Sequence, residues 1–87
     1  MEKYYRNTET IDGEIDDNQV IMHIGRGKYL GLNSVGKRIW SLIEEPKTFE
    51  EILPALLLEY NISAEQCAKE VRTFLDKGVE FDIILKK

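Results

Sequence analysis

The sequence has 87 residues, 12 basic and 16 acidic side chains for a net charge of −4, one cysteine and one histidine. That length serves one domain with one core, and 43% hydrophobic against 32% charged residues is a globular composition, not a disordered one. One Cys excludes an intramolecular disulfide, one Cys with one His cannot build a structural zinc site, and no stretch approaches the roughly 20 apolar residues of a membrane span. Met1-Glu2-Lys3-Tyr4-Tyr5-Arg6 also lacks the apolar run of a signal peptide. The expectation is a single cytoplasmic domain over 1–87, without metal, cofactor or membrane contact.

The first clear element is a strand. Gln19 to Ile24, Gln-Val-Ile-Met-His-Ile, is rich in residues that suit a pleated surface. Gly25-Arg26-Gly27 supplies a tight hairpin loop, and Lys28-Tyr29-Leu30-Gly31-Leu32 forms the returning strand. A three-residue loop sets Met22 opposite Leu30 and Val20 opposite Leu32. These four then share one apolar face, with Ile21, His23 and Tyr29 on the other. A weaker strand around Thr8–Asp12, turning at Asp12-Gly13, precedes them.

After Leu32 the apolar period changes from two to about 3.6. Asn33 or Ser34 caps a helix whose stripe is Val35, Ile39, Leu42 and Ile43, with Trp40 beside it, and Pro46 ends it. Thr48-Phe49-Glu50-Glu51 reads as a capping box for a second helix carrying Phe49, Ile52, Leu53, Leu56, Leu57 and Tyr60. Pro54 inside that pattern predicts a bend or a late start. A third helix opens at Ser63-Ala64-Glu65-Gln66, places Ala64, Cys67, Ala68, Val71, Phe74 and Leu75 on one stripe, and is expected to end at Gly78 in a left-handed cap. The alternating tail Val79–Ile83 suits a short strand or an extended segment packed on the core. The class is α+β: an N-terminal antiparallel three-stranded sheet followed by three helices, similar in order to a winged helix-turn-helix.

Few residues suit catalysis. His23 has no partner set in sequence and reads as a partly exposed strand residue beside Tyr29. Cys67 sits on an apolar stripe as a small core residue. The acidic pairs Asp16-Asp17, Glu44-Glu45 and Glu50-Glu51 are adjacent in sequence, so they do not face one another as a carboxylate dyad would. Gly25-Arg26-Gly27 matches neither a Walker loop nor a dinucleotide fingerprint. An enzyme is not expected. Tyr29 stands free for a partner, and Phe74 and Leu75 lie where the last stripe reaches the rim of a groove.

Charge argues against nucleic acid. Residues 1–19 carry −4, residues 20–47 carry +3 and residues 48–87 carry −3, a small basic excess inside an acidic chain. A winged-helix DNA reader is the rival from another class. Its recognition helix over 64–77 would set Glu65, Glu70 and Asp76 against Lys69, Arg72 and Lys77, for no net charge.

The segment Gly27-Lys28-Tyr29-Leu30-Gly31-Leu32-Asn33-Ser34-Val35-Gly36-Lys37-Arg38-Ile39-Trp40 resembles the signature of the PqqD-like family. Pro46-Lys47-Thr48-Phe49-Glu50-Glu51-Ile52, the Glu59-Tyr60-Asn61-Ile62 step and Val71-Arg72-Thr73-Phe74-Leu75 before Gly78 keep the family's order. The likeness spans roughly residues 9–79. It implies a recognition element for ribosomally made, modified peptides, with three strands followed by three helices. The leader of a precursor peptide would add as a further strand and be presented to a modifying enzyme.

By position, the resemblance assigns leader binding to Lys28, Tyr29, Leu30, Gly31 and Leu32 on the strand and to Glu70, Val71, Phe74 and Leu75 on the helix. The free-standing form resembles the lasso-peptide branch, whose enzyme partner is a leader protease. A pyrroloquinoline-quinone or other radical-enzyme pathway is the alternative, and a purely structural tether is a third. The edge strand permits a monomer or a weak homodimer. The tail 79–87 departs from relatives that stop at a Gly-Leu pair, and it either covers part of the groove or makes a separate contact.

Overall fold

Two small antiparallel sheets and three helices share one core in the computed structural model, which describes Met1–Lys87. The strands are β1 (Lys3–Arg6), β2 (Thr10–Ile15), β3 (Asn18–His23), β4 (Tyr29–Gly31), β5 (Lys47–Thr48) and β6 (Ile84–Lys86); the helices are α1 (Ser34–Leu42), α2 (Phe49–Glu59) and α3 (Ala64–Glu80). One sheet has the order β2-β3-β4 and the other β5-β1-β6. The class is therefore α+β, with a meander ahead of the helices. The winged-helix likeness stops at that order, because the second sheet is assembled from both chain ends and the two residues just before α2.

The meander departs from the sequence expectation in two ways. Its first turn lies at Asp16-Asp17, not at Asp12-Gly13. Both aspartates take positive φ, 52° and 66°, as the two-residue loop between paired Ile15 and Asn18 demands. Aspartate tolerates that region because its short side chain can bond locally.

The second departure is a one-residue shift of register. Met22 faces Tyr29, Ile21 faces Leu30 and Val20 faces Gly31, because the β3–β4 loop holds four residues instead of three. His23 N–H donates to Lys28 O at 2.8 Å and Gly27 N–H to His23 O at 3.0 Å, and only Gly27 of the two loop glycines has positive φ. The shift turns fully buried Ile21 and nearly buried Leu30 toward the helices. Burying a side chain of this size gains about 1.5–3 kcal/mol, so the slipped pairing, which would turn Ile21 outward, loses. His23 is buried on the face opposite Tyr29, correcting its expected place beside it. Its Nδ1 accepts from the N–H groups of Gly25 and Arg26, both at 3.1 Å, and so shapes the loop.

The helices start where their caps predict. Asn33 Oδ1 accepts from Gly36 N–H at 2.8 Å; Thr48 and Glu51 form the reciprocal capping box; Ser63 Oγ accepts from Gln66 N–H. α2 runs unbroken from Phe49 through Pro54, so the expected late start does not occur. Arg6 stacks on the Trp40 ring at 4.8 Å and donates twice to the Trp40 carbonyl, at 2.9 and 2.6 Å. It thereby satisfies an acceptor that the end of α1 leaves open.

Gly78 is not a left-handed cap. α3 continues past it to Glu80, and the positive φ falls on Asp82, at 60°. Glycine is required there for space: a Cβ would stand 2.4 Å from Ile84 Cδ1 and 2.7 Å from Cγ1. Val79 and Glu80 thus belong to the helix, and the tail folds back as β6 beside β1, pairing Tyr4 with Lys86 and Arg6 with Ile84. Ile83 and Ile84 are fully buried. The core joins them to Ile39, Ile43, Ile52, Leu56, Cys67, Val71 and Leu75 from all three helices.

Candidate functional site

β4 is the edge of its sheet, and its backbone alternates in a predictable way. On either side of β4, Lys28 O accepts from His23 N–H and Leu32 N–H donates to Gln19 O, both partners in β3. In an antiparallel ladder, bonded pairs recur every second residue, so Leu30 also turns its N–H and C=O toward β3. Tyr29 and Gly31 therefore direct theirs away from the sheet. The open edge offers two donors and two acceptors in strand geometry, with only three residues of assigned strand behind them.

A groove of about 510 Å³ opens beside that edge, within the usual range for ligand sites. Leu30 and Gly31 form one wall. Gln66, Lys69, Glu70, Thr73, Phe74 and Lys77 of α3 form the other, and Asn33, Val35, Gly36 and Ile39 at the start of α1 make the floor. The α3 set recurs at steps of three and four, one face of a helix. Gly36 admits the Phe74 ring: a Cβ there would stand 3.0 Å from Phe74 Cε1 and 3.3 Å from Asn33 Oδ1. Gly31 has nothing within 4 Å of a Cβ position, so the face it shares with Tyr29 is open.

Phe74 is the one apolar side chain of the α3 wall, and Lys69, Glu70 and Lys77 are its charged ones. Lys69, Glu70 and Lys77 take part in none of the four ion pairs of the molecule, which join Arg26 to Asp82, Arg38 to Glu59, Lys47 to Glu45 and Lys86 to Glu2. Beyond the C-terminal end of α3 the chain is tied to the β3–β4 loop and to Asn7. Lys28 Nζ lies 5.4 Å from the Phe81 ring centre, Arg26 pairs with the Asp82 carboxylate, and Asn7 Nδ2 donates to Asp82 O at 2.7 Å. The tail braces the β3–β4 loop and is not among the groove's lining residues.

Of the residues expected to bind a peptide, Leu30, Gly31, Glu70 and Phe74 come together in the groove. Lys28 is not among the lining residues; its Nζ lies over the Phe81 ring just past α3. Tyr29 is 54% exposed on the outer face of the sheet, so its backbone, not its ring, addresses the edge. Leu32, Val71 and Leu75 are buried in the core and belong to the support of the groove. Gln66, Lys69, Thr73 and Lys77 were not anticipated, although steps of three and four along the helix from Glu70 and Phe74 reach Gln66, Thr73 and Lys77, and a further step of four back from Thr73 reaches Lys69.

Cys67, on the inner side of α3, is fully buried. Burial pushes its thiol up, with Glu70 adding to the effect, which disfavours the thiolate a nucleophile requires. No group of three or more His, Cys, Asp and Glu residues is gathered to hold a metal ion, and no helix is long and apolar enough to cross a membrane. The groove offers main-chain hydrogen bonds along one wall and side-chain contacts along the other, the two requirements for taking up an extended peptide.

Comparison with known proteins agrees with that geometry. Residues 18–84 match the family described as coenzyme PQQ synthesis protein D (PqqD). The structure of TbiB1 in complex with the TbiA(beta) leader peptide is 35% identical, with a TM-score of 0.75 over 92% of this chain and 93% of that one. The structure of lasso peptide synthetase B1 complexed with the leader peptide shares the fold, with a TM-score of 0.76 over 94% of this chain and 96% of that one, at 16% identity. No curated protein matches the chain in sequence.

Proposed function

The chain belongs to the PqqD family, and we propose that it binds the leader segment of a ribosomally made precursor peptide and presents it to a modifying enzyme without itself performing chemistry. The observation that carries the proposal is the pairing of an open strand edge at Tyr29 and Gly31 with the groove against Phe74. A leader entering as a fourth strand bonds to the outward N–H and C=O groups of those two residues. Its side chains on the helix side, every second one, enter the groove.

The enzyme served is a leader protease of lasso-peptide maturation. The free-standing form that resembles the lasso branch favours this choice, and the likeness to TbiB1, a protein solved with a leader peptide, supports leader binding itself. A second reading has a specific observation behind it: the family description names coenzyme PQQ synthesis, a pathway in which the same groove would deliver its peptide to a radical enzyme. Titrating the protein with labelled leader peptides of both kinds, read by fluorescence anisotropy, separates the two. Micromolar or tighter binding to a lasso-type leader alone is expected; failure to bind either kind at tens of micromolar would sink the proposal.

A further inference from the structure

The sheet that offers β4 to a peptide has a second open edge. β2 is its other outer strand and, with six residues against three, the longer of the two. Ile24 N–H donates to Glu9 O at 3.0 Å, and pairs bonded in this way recur every second residue. Ile11, Gly13 and Ile15 therefore bond to β3, while Thr10, Asp12 and Glu14 direct their N–H and C=O groups outward. No strand but β3 pairs with β2.

The two faces of that edge differ in kind. Asp12 lies opposite Ile21 and Glu14 opposite Gln19, so their side chains, with that of Thr10, stand on the helix side of the sheet. A groove of about 470 Å³ opens there, with Thr10 and Asp12 facing Trp40 of α1 and Glu44 just beyond it. Ile11 and Ile15 alternate with the acids on the outer face and are 49% and 40% exposed.

Charge is one-sided along this edge. Residues 7–19 carry five acids and no base, and none of the five enters an ion pair. Arg6 is the one base lining the groove and is held to the Trp40 carbonyl; Lys37, a turn earlier on α1, does not line it. With both counted, the balance stays acidic. α1 also ends here with no basic residue in its last turn, and the negative end of a helix dipole favours a cation.

From this we infer that the β2 edge docks an extended segment of a partner protein in which Lys or Arg alternates with apolar residues. The bases lie opposite Asp12 and Glu14, and the apolar side chains between them extend the outer face beside Ile11 and Ile15. Opposite charges directly across two strands attract and like charges repel. A second copy of this chain paired through β2 would set acids against acids, so charge favours a basic partner over self-association. The edge lies on the far side of the sheet from β4, and the inference does not depend on what β4 binds.

Two labelled peptides of one composition test it, Gly-Lys-Val-Lys-Val-Lys-Val-Gly and its block isomer Gly-Lys-Lys-Lys-Val-Val-Val-Gly, titrated at low salt into the isotope-labelled full-length protein. The alternating peptide is expected to bind at least about fivefold tighter and to shift the amide signals of Thr10, Asp12 and Glu14. The double variant Asp12→Lys/Glu14→Lys, with its fold confirmed by circular dichroism, is expected to lose about tenfold on that peptide. It should gain on a peptide with Glu in place of each Lys. Equal affinity for the two isomers, shifts centred on Tyr29 and Gly31, or no binding at about 1 mM overturns the inference. A dimer formed without peptide and joined through Thr10–Ile15 overturns it too. Leader binding at β4, titrated separately, stands or falls on its own result.

Discussion

Gly36 and Phe74 are matched across the groove: the first turn of α1 lacks a side chain where the Phe74 ring lies, and a Cβ would come within 3.0 Å of that ring. Two effects oppose each other in Gly36→Ala. Alanine favours a helix over glycine by about 1 kcal/mol, while the ring must move a few tenths of an ångström to admit the methyl. The ring faces open groove, so it yields outward. The expected outcome is a melting temperature little changed and a leader affinity clearly reduced. Phe74→Ala should lower affinity by about 1–3 kcal/mol, and Tyr29→Ala by less, since its ring lies on the outer face. Calorimetry on the three variants checks this order.

Gly31→Pro isolates the main-chain contribution. Proline is tolerated on an edge strand when its missing N–H would have faced outward, and the bonds to β3 come from Lys28, Leu30 and Leu32. The variant should stay folded and lose more than about tenfold in leader affinity, the scale of one hydrogen bond removed from a buried strand addition. Binding by Gly31→Pro at wild-type strength would mean that the peptide does not use this edge.

Gly78 and Ile84 give a prediction on stability alone. A Cβ at 2.4 Å from Ile84 Cδ1 cannot be accommodated without displacing β6, so Gly78→Ala should destabilise by about 1–3 kcal/mol despite better helix propensity. Ile84→Ala removes the obstacle but leaves a cavity, at about 2–5 kcal/mol. The double variant should cost less than the sum of the two. Urea denaturation of the four proteins measures the coupling.

The capping box at α2 predicts an acid-side effect. Thr48 N–H donates to Glu51 Oε1 at 2.8 Å, and this bond, with help from the Thr48 side chain, Lys3 and Lys47, holds the Glu51 carboxyl below its usual value against a smaller opposing effect of desolvation. A carboxyl depressed in the folded state stabilises fully above its unfolded value, and that contribution is lost as pH falls through the folded value. Urea midpoints measured downward from pH 7 should therefore fall less steeply in Glu51→Gln than in the wild type over the acid range. Thr48→Ala should cost about 1 kcal/mol at neutral pH through loss of the cap.

The helices were legible because their signals are local. Asn33, Thr48 and Ser63 each accept from the backbone N–H three residues on, and such a cap is written in consecutive residues. Register was less legible. Gly25 and Gly27 permit a loop of three or four residues, and only the burial of Ile21 against the helices, decided by distant residues, selects four. The second sheet was not legible. Tyr4 and Tyr5 give too short an apolar signal to mark a strand, and their partner lies at Leu85 and Lys86.

Within the groove, Leu30, Gly31, Glu70 and Phe74 followed from motif position. Lys69 and Lys77, being solvated, leave no apolar periodicity to read. Val71 and Leu75 share the helix with Phe74 but point inward, a difference of 100° per residue that a list of neighbouring positions does not carry.

The β1–β6 ladder also has a consequence for how the domain forms. Lys3 N–H donates to Lys87 O at 2.9 Å and Lys87 N–H to Lys3 O at 3.0 Å, so the first strand made during synthesis keeps an unsatisfied edge until residues 84–87 exist. Closing so long a loop costs entropy before any contact repays it. The β2-β3-β4 meander, whose contacts are local, can assemble earlier. The strand edge beside the groove is thus in place before the barrier to completing the domain has been crossed, and for that interval β1, the central strand of the second sheet, lacks its partner on one side.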